Sequence, residues 1–430
     1  MSSPWFGEAP PHWQASRLSR WYSVSLGKML DESKFATAEG EMLPYIRAGN
    51  VRMGSLDLAN VKSMPFSARD RARFSLRAGD LVVVEGGSIG VNARITQDMP
   101  GWGYQKTVNR VRAKSDASTA FLGYQIDALR AGGAFDMIAN VSTIQHLTAE
   151  KLERLVVHMP PPSEQRAIAD YLDRETAQID AFIAKNEELI TLLTERRTSV
   201  IREATTVGLE TKTELVESGL DGVGPIPSDW RVMRLSWLFR GTGSGTTPSS
   251  EFMLDGDEAD VWWVTTGELR ERTIMSTSKG VSFDTLATTS ALKIHPSGSL
   301  LIAMYGATIG RTGILGVPAA SNQAVCALSN PVGCLVEFVE YAMLAARERL
   351  LLAAVGGGQP NINQETVRAF RIPVPDFKEQ RTIVQYLRAR VAGIDRAIAA
   401  AGRGIELARE RRAALISAAV TGKIDVGVGA

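Results

Sequence analysis

The chain has 430 residues and a formal net charge of +1, from 48 Lys or Arg against 47 Asp or Glu. Hydrophobic residues make up 44% and charged residues 22%, which fits a soluble globular protein and argues against a disordered or fibrous one. Near neutrality argues against a stand-alone nucleic-acid binder, because phosphate neutralisation normally demands a basic domain.

The length allows roughly two to four domains, each able to bury its own core. No apolar run approaches the ~18 residues of a membrane span. The opening Met1-Ser2-Ser3-Pro4-Trp5 lacks the basic-then-apolar order of a secretion signal. Two cysteines, Cys326 and Cys334, make neither a disulfide framework nor a zinc spacing. A reducing cytoplasm is the expected compartment.

Residues 1–159 read as a globular block. Short, β-branched apolar runs bounded by glycine, such as Leu81-Val82-Val83-Val84 between Gly79 and Gly87, predict strands. A helix is predicted around Ala120–Ala131. The expectation is a mixed α/β domain with a curved, mostly antiparallel sheet. Its loop-borne polar residues near strand ends are Arg47, Asn50, Ser88, Asn92, Arg94, Gln105, Lys106, Asn109 and Arg110. Asn, Gln and Arg can read base edges bidentately, whereas Ser, Thr and Lys mostly position phosphates. As a group they are the candidate DNA contacts of this block.

Residues 160–209 follow. Pro160-Pro161-Pro162 ends a strand, and from Ser163 to about Thr206 there is neither proline nor glycine. Ile168, Leu172, Ile179, Ile183, Ile190 and Leu193 recur at spacings of three and four, with Gly208 closing the run. Sustained over about six heptads, this predicts a coiled-coil helix roughly 65 Å long.

A second block, residues 210–374, repeats the first in weaker form. Gly224, Pro227, Trp230, Arg234 and Leu235 match Gly7, Pro10, Trp13, Arg17 and Leu18 at one offset. Gly298-Ser299-Leu300-Leu301-Ile302-Ala303 and Gly306-Ala307-Thr308-Ile309-Gly310 resemble Gly79–Val84 and Gly87-Ser88-Ile89-Gly90. A helix is predicted around Val336–Val355. The candidate contacts here are Thr265, Glu268, Tyr305, Thr308, Arg311, Asn322, Gln323, Gln359 and Asn361. Residues 375–425 form the second long helix, with Ile383, Leu387, Ile394, Ile398 and Ile405 in its stripe, and 426–430 a tail. Gly393, Gly402 and Gly404 should allow close approach of a neighbour at a cost in helix stability.

The two helices are copies. Of the 43 positions from Glu164 to Thr206, 19 are identical at an offset of 215, half the chain length. Glu164-Gln165-Arg166 returns as Glu379-Gln380-Arg381, and Glu195-Arg196-Arg197 as Glu410-Arg411-Arg412. The simplest partner for one helix is its own copy. Helices that stay alike while the domains diverge suit a shared mechanical role and two separate specificities.

Catalytic motifs are scarce. Gly422-Lys423-Ile424 lacks a phosphate loop, and Gly241-Thr242-Gly243-Ser244-Gly245 lacks dinucleotide spacing, so it reads as a flexible or substrate-facing loop. Glu32-Ser33-Lys34 reads as solvated surface. His12, His146, His158 and His295 are scattered and read as surface or packing residues. No bond chemistry is expected of this chain.

The arrangement resembles the specificity subunit of type I restriction–modification systems over essentially the whole chain. The resemblance rests on Ser163-Glu164-Gln165-Arg166, Ile179-Asp180, Glu195-Arg196-Arg197, Gly224-Pro225-Ile226-Pro227-Ser228-Asp229-Trp230, Tyr305–Gly310, Gln359-Pro360-Asn361-Ile362-Asn363 and Thr421-Gly422-Lys423-Ile424-Asp425. It implies an α+β fold with two target recognition domains joined by two long conserved helices in an antiparallel coiled coil, a pseudo-twofold internal repeat. It further implies that each domain reads half of a bipartite DNA target while the helices set the spacer. Two modification subunits would dock on the helices, restriction subunits would join through them, and S-adenosylmethionine, ATP and Mg²⁺ would belong to those partners rather than to this chain. The first block departs from the pattern, with Glu85-Gly86-Gly87-Ser88 where the second has Tyr305-Gly306-Ala307-Thr308, and Tyr104-Gln105-Lys106 where the second has Ser321-Asn322-Gln323. A stand-alone bivalent DNA-binding regulator and a coiled-coil adaptor without DNA contact remain as rival readings.

Overall fold

A computed structural model of the chain describes residues 9–29, 40–139, 146–210, 214–354 and 361–426. It comprises two units, Met1–Glu187 with Arg403–Ala430, and Glu188–Gly402. The division falls inside both long helices, Pro162–Thr206 and Phe377–Val420. Each unit therefore holds one globular domain, the first part of one helix and the last part of the other.

In the first unit, Gln14–Arg17 pairs antiparallel with Val156–Met159 and draws the two ends of the domain together. A four-stranded antiparallel sheet runs Tyr22–Leu26, Val108–Ala113, Leu81–Val84, Asn92–Arg94. Leu81–Val84 is buried throughout, and the period of two explains why every residue is apolar. Leu81 and Val83 pack with Phe121, Leu122 and Ile126 of the helix Thr119–Ala131, while Val82 and Val84 pack with Tyr45, Ile46, Phe66 and Tyr104. The latter belong to a second sheet, ordered Lys62–Phe66, Glu41–Ile46, Gly103–Tyr104, whose last pair is parallel.

The second unit repeats this plan. Arg231–Arg234 pairs with Arg371–Val374, and Leu300–Ala303 lies between Val325–Pro331 and Thr312–Leu315. Leu300 and Ile302 face the helix Val336–Ala345, whereas Leu301 and Ala303 face Val264, Leu315 and Val325. Val261–Val264 pairs parallel with Ala319–Ser321. The single curved sheet expected for each domain is thus two main sheets besides two-stranded pairs, with one parallel strand pair in the first domain and two in the second, because a strand buried on both faces requires a layer on each side. The helix expected over Val336–Val355 breaks at Ala346 and resumes as Arg347–Leu352.

Identical residues at the helix starts make identical bonds. The Trp13 indole Nε1 donates to Glu164 at 3.0 Å, and Trp230 Nε1 donates to Glu379 at 3.1 Å. Gln165 accepts the Ser118 N–H at 2.8 Å and donates to the Pro160 carbonyl at 2.7 Å. Gln380 accepts the Leu335 N–H at 2.8 Å and donates to the Pro375 carbonyl at 3.0 Å. Both glutamines are fully buried. Each satisfies a helix N-terminus and a strand end that would otherwise be orphaned.

Within each unit the helix segments run antiparallel. In the first, Asp180 meets Arg412 at 3.0 Å and Glu187 meets Arg409 at 3.3 Å. In the second, Arg197 meets Asp395 at 3.0 Å, the repeat-related counterpart of the Asp180–Arg412 pair. Ile168 and Leu172 join Ile416, Ala419 and Val420 in the domain core around Trp13. Ile383 and Leu387 do the same with Val200, Ile201 and Ala204 around Trp230. Ile179 and Ile405 are buried, whereas Ile183, Ile190, Leu193, Ile394 and Ile398 are half-buried. The second helix ends at Gly422 (φ 72°), where the Lys423 N–H reaches the Ala418 carbonyl at 2.9 Å. The close approach expected at Gly393 and Gly402 is absent: a Cβ there would have nothing within 4 Å, and one at Gly404 would touch Phe182 at an ordinary 3.6 Å.

Candidate nucleic-acid interface

Three loops converge at one end of the first domain. The turn Arg47–Asn50 closes on itself, with the Arg47 N–H donating to Asn50 Oδ1 at 3.3 Å. The Ala48 N–H donates to Thr107 Oγ1 at 3.1 Å, and Thr107 in turn bonds Gln105 at 3.0 Å. The third loop carries Lys28, whose N–H donates to the Tyr104 carbonyl at 2.9 Å. Glu85 sits at the end of the central strand, where burial raises its carboxyl pKa against the opposing pull of His146 and Lys106. Lys106 and Ser88 are exposed there, and Arg47 and Gln105 are half-exposed.

The second domain gathers an equivalent set. Thr265 and Glu268 cap each other, the Thr265 N–H donating to Glu268 at 2.8 Å. The Asn322 N–H donates to the Val264 carbonyl at 3.0 Å, as that of Gln105 does to Ile46. Tyr305, at the position of Glu85, bridges to Asn361 and is 44% exposed. The glycine-rich stretch expected as a loop is strand through Gly243, paired with Ala327–Ser329; just beyond it, Trp263 Nε1 donates to the Thr246 carbonyl at 3.0 Å and Thr247 to Gln323 at 2.8 Å. A Cβ on Gly245 would clash with the Ser321 carbonyl oxygen, and one on Gly27 with that of Gln105. These paired close approaches were not visible as a motif. Thr308 donates to the Tyr305 carbonyl at 2.8 Å, and Arg311 and Gln323 are exposed.

Five candidates of the first block are corrected to structural roles. Asn109 is wholly buried and donates to the Leu147 carbonyl at 2.9 Å, so no base edge can reach it. Asn92, also buried, donates to Asp127 at 2.8 Å. Arg110 donates to the Ser75 carbonyl at 2.7 Å beneath Tyr104. Arg94 grips Asp173 of the first long helix at 2.8 and 2.9 Å. Asn50 is buried too, holding the Asp57 carbonyl at 2.9 Å, and Glu268 is committed to its cap. Gln359 and Glu32-Ser33-Lys34 lie outside the described residues. Among the described residues, no group of three or more His, Cys, Asp or Glu could hold a metal, and no helix is long and apolar enough to cross a membrane. Cys326 and Cys334 are buried, and burial raises both thiol pKa values.

The same domain-plus-helix pattern is matched twice by the family described as the type I restriction modification DNA specificity domain, over residues 11–191 and 227–398. The chain belongs to this family. Curated relatives include the specificity subunit of the Escherichia coli type I restriction enzyme EcoR124I/EcoR124II, 26% identical over 149 residues, covering 33% of this chain and 36% of that one. The Escherichia coli EcoBI specificity subunit is 26% identical over 274 residues, covering 60% of this chain and 56% of that one. The matches thus span about a third and about half of those family members. In fold, a chain from a structure on complex assembly and conformational transition of the type I R-M system superposes with a TM-score of 0.74 at 15% identity, covering 97% of this chain and 100% of that one. The HsdS subunit from Thermoanaerobacter tengcongensis gives 0.53 at 16% identity, covering 97% and 98%.

Proposed function

We propose that this chain is the DNA-recognition subunit of a type I restriction–modification complex. One observation carries the reading: a reader-like domain and a long helix occur twice, and the specificity-domain family matches both copies. Each domain reads one half of a bipartite duplex target with its loop end. Arg47, Ser88, Gln105 and Lys106 serve one half, and Thr265, Tyr305, Thr308, Arg311, Asn322, Gln323 and Asn361 the other. The paired helices fix the spacing and dock two modification subunits, through which restriction subunits join. The chemistry of adenine methylation, with S-adenosylmethionine, ATP and Mg²⁺, belongs to those partners, in a cytoplasmic complex.

Near-neutral charge supports dependence on partners, because a chain of +1 supplies little of the phosphate attraction that duplex binding needs. The test is to co-express the chain with a type I modification subunit, map modified adenines genome-wide, and then replace residues 210–374 with the corresponding domain of another family member. The reading expects one half-site to change and the other to persist. Specific duplex binding by the purified chain alone would favour a stand-alone bivalent regulator. Salt-insensitive behaviour with no duplex binding in any complex would favour a protein adaptor.

A further inference from the structure

The duplication allows one copy to be read against the other, and they differ around one arginine of the long helices. In the second unit, Arg197 is held by Glu271 at 2.7 Å and Asp395 at 3.0 Å. Glu271 reaches it from a loop residue with φ 58°, a left-handed conformation that is uncommon for a side-chain-bearing residue. Its N–H donates to the Thr312 carbonyl at 2.9 Å. The equivalent N–H in the first unit belongs to Gly54 (φ 75°), which donates to the Asn92 carbonyl at 2.9 Å. Asn92 and Thr312 are themselves equivalent, each facing the central strand and bonding a buried carboxylate, Asp127 at 2.8 Å and Glu340 at 3.1 Å.

Glycine at position 54 removes that carboxylate, which leaves the buried Asp127, beside Arg412 and Arg130, as the acid on that side of the cavity. A Cβ on Gly54 would have nothing within 4 Å. Arg412, the counterpart of Arg197, keeps the matching Asp180 on its Nε at 3.0 Å but has no second ion pair where a terminal nitrogen of Arg197 meets Glu271. Arg130 is less well held: its Nε is buried and unpartnered, and its guanidinium reaches the Met53 thioether at 2.8 Å, a weak acceptor. The equivalent Arg347 of the second unit donates to the Ile309 carbonyl at 3.0 Å. Arg412 lines two adjoining cavities of about 430 and 500 Å³ that share Met53, Asp127 and Asp180, and Arg130 lines the larger.

We infer that the first unit holds a carboxylate-binding pocket, with Arg412 and Arg130 as its donors and Gly54 at its mouth. The second unit shows the same pocket filled from within by Glu271. A planar guanidinium suits a carboxylate by its fork of donors, and burial strengthens the bond. The ligand is an external carboxylate, supplied either as a small organic acid or as an acidic side chain of a protein.

The test uses the whole chain labelled with ¹⁵N-arginine, titrated at constant ionic strength with acetate and, separately, with a capped glutamate tripeptide. Saturable shifts of the Arg412 and Arg130 Nε–H signals are expected. They should weaken at least tenfold in Arg412→Gln and in Gly54→Glu, which carries its own carboxylate into the site as Glu271 does. Tighter binding of acetate assigns the small acid, and tighter binding of the peptide assigns the protein side chain. Shifts absent with both probes, equal with chloride, or surviving Gly54→Glu would overturn the inference.

Discussion

Replacing Gln165 by alanine tests the joint between domain and helix at its most loaded point. The side chain is fully buried and bonds two backbone groups, the Ser118 N–H at 2.8 Å and the Pro160 carbonyl at 2.7 Å. Alanine leaves both without a partner in a region closed to water, at about 1–3 kcal/mol each. A total loss of about 2–6 kcal/mol follows. For a unit of this size, 1 kcal/mol lowers the melting temperature by about 2–4 °C, so the unit's transition should fall by about 4–24 °C. Gln380→Ala should do the same to the second unit, since it makes the same bonds. Calorimetry or urea unfolding followed by tryptophan fluorescence reads both. Gln178→Ala, exposed on the same helix, is the control and should change stability by less than about 0.5 kcal/mol. A Gln165→Ala loss no larger than that control would refute the account of the joint.

Gly393→Ala and Gly402→Ala should each stabilise the isolated chain by about 1 kcal/mol, because a Cβ at either position meets open space; denaturant midpoints that fall instead would contradict it. Burial lifts the Glu340 carboxyl to about 7 and that of Asp127 to about 6. The folded chain then binds more protons than the unfolded one between about pH 4 and 7. Stability from these groups is full below about pH 4 and is lost as pH rises through 6 and 7. Glu340→Gln should flatten that fall and gain up to about 3 kcal/mol at pH 8, read by unfolding across pH; an unchanged profile would count against a buried carboxyl there. Lys106→Ala should weaken duplex binding by the assembled complex and reduce the slope of log affinity against log salt by about one, with target sequence unchanged. A new target sequence would show that Lys106 reads bases.

The long helices were legible because their signal is redundant: 19 identities in 43 positions, a sustained apolar stripe, proline before and glycine after. Glu164-Gln165-Arg166 stood out without its reason, since the partners Trp13, Ser118 and Pro160 are set by the tertiary fold. Strands such as Leu81–Val84 and Leu300–Ala303 could be found, but not the sheet across their second face. A continuous apolar run says that both faces are covered and not by what. The contact list erred where polar letters are ambiguous. Asn92 and Asn109 have the same chemistry as a base-reading amide, and only burial separates them from Asn361. The Arg412 pocket was hidden for a related reason, because it depends on a glycine standing where the repeat has a glutamate.

The central claim is that paired helices set the spacing of two half-sites read by separate domains. The most direct measurement inserts four residues into the exposed middle of the first long helix, beside Glu188, and maps modified adenines after co-expression with the modification subunit. Four helical residues add about 6 Å, so the account predicts a spacer longer by up to about two base pairs with both half-sequences intact. A changed half-sequence with an unchanged spacer would contradict it.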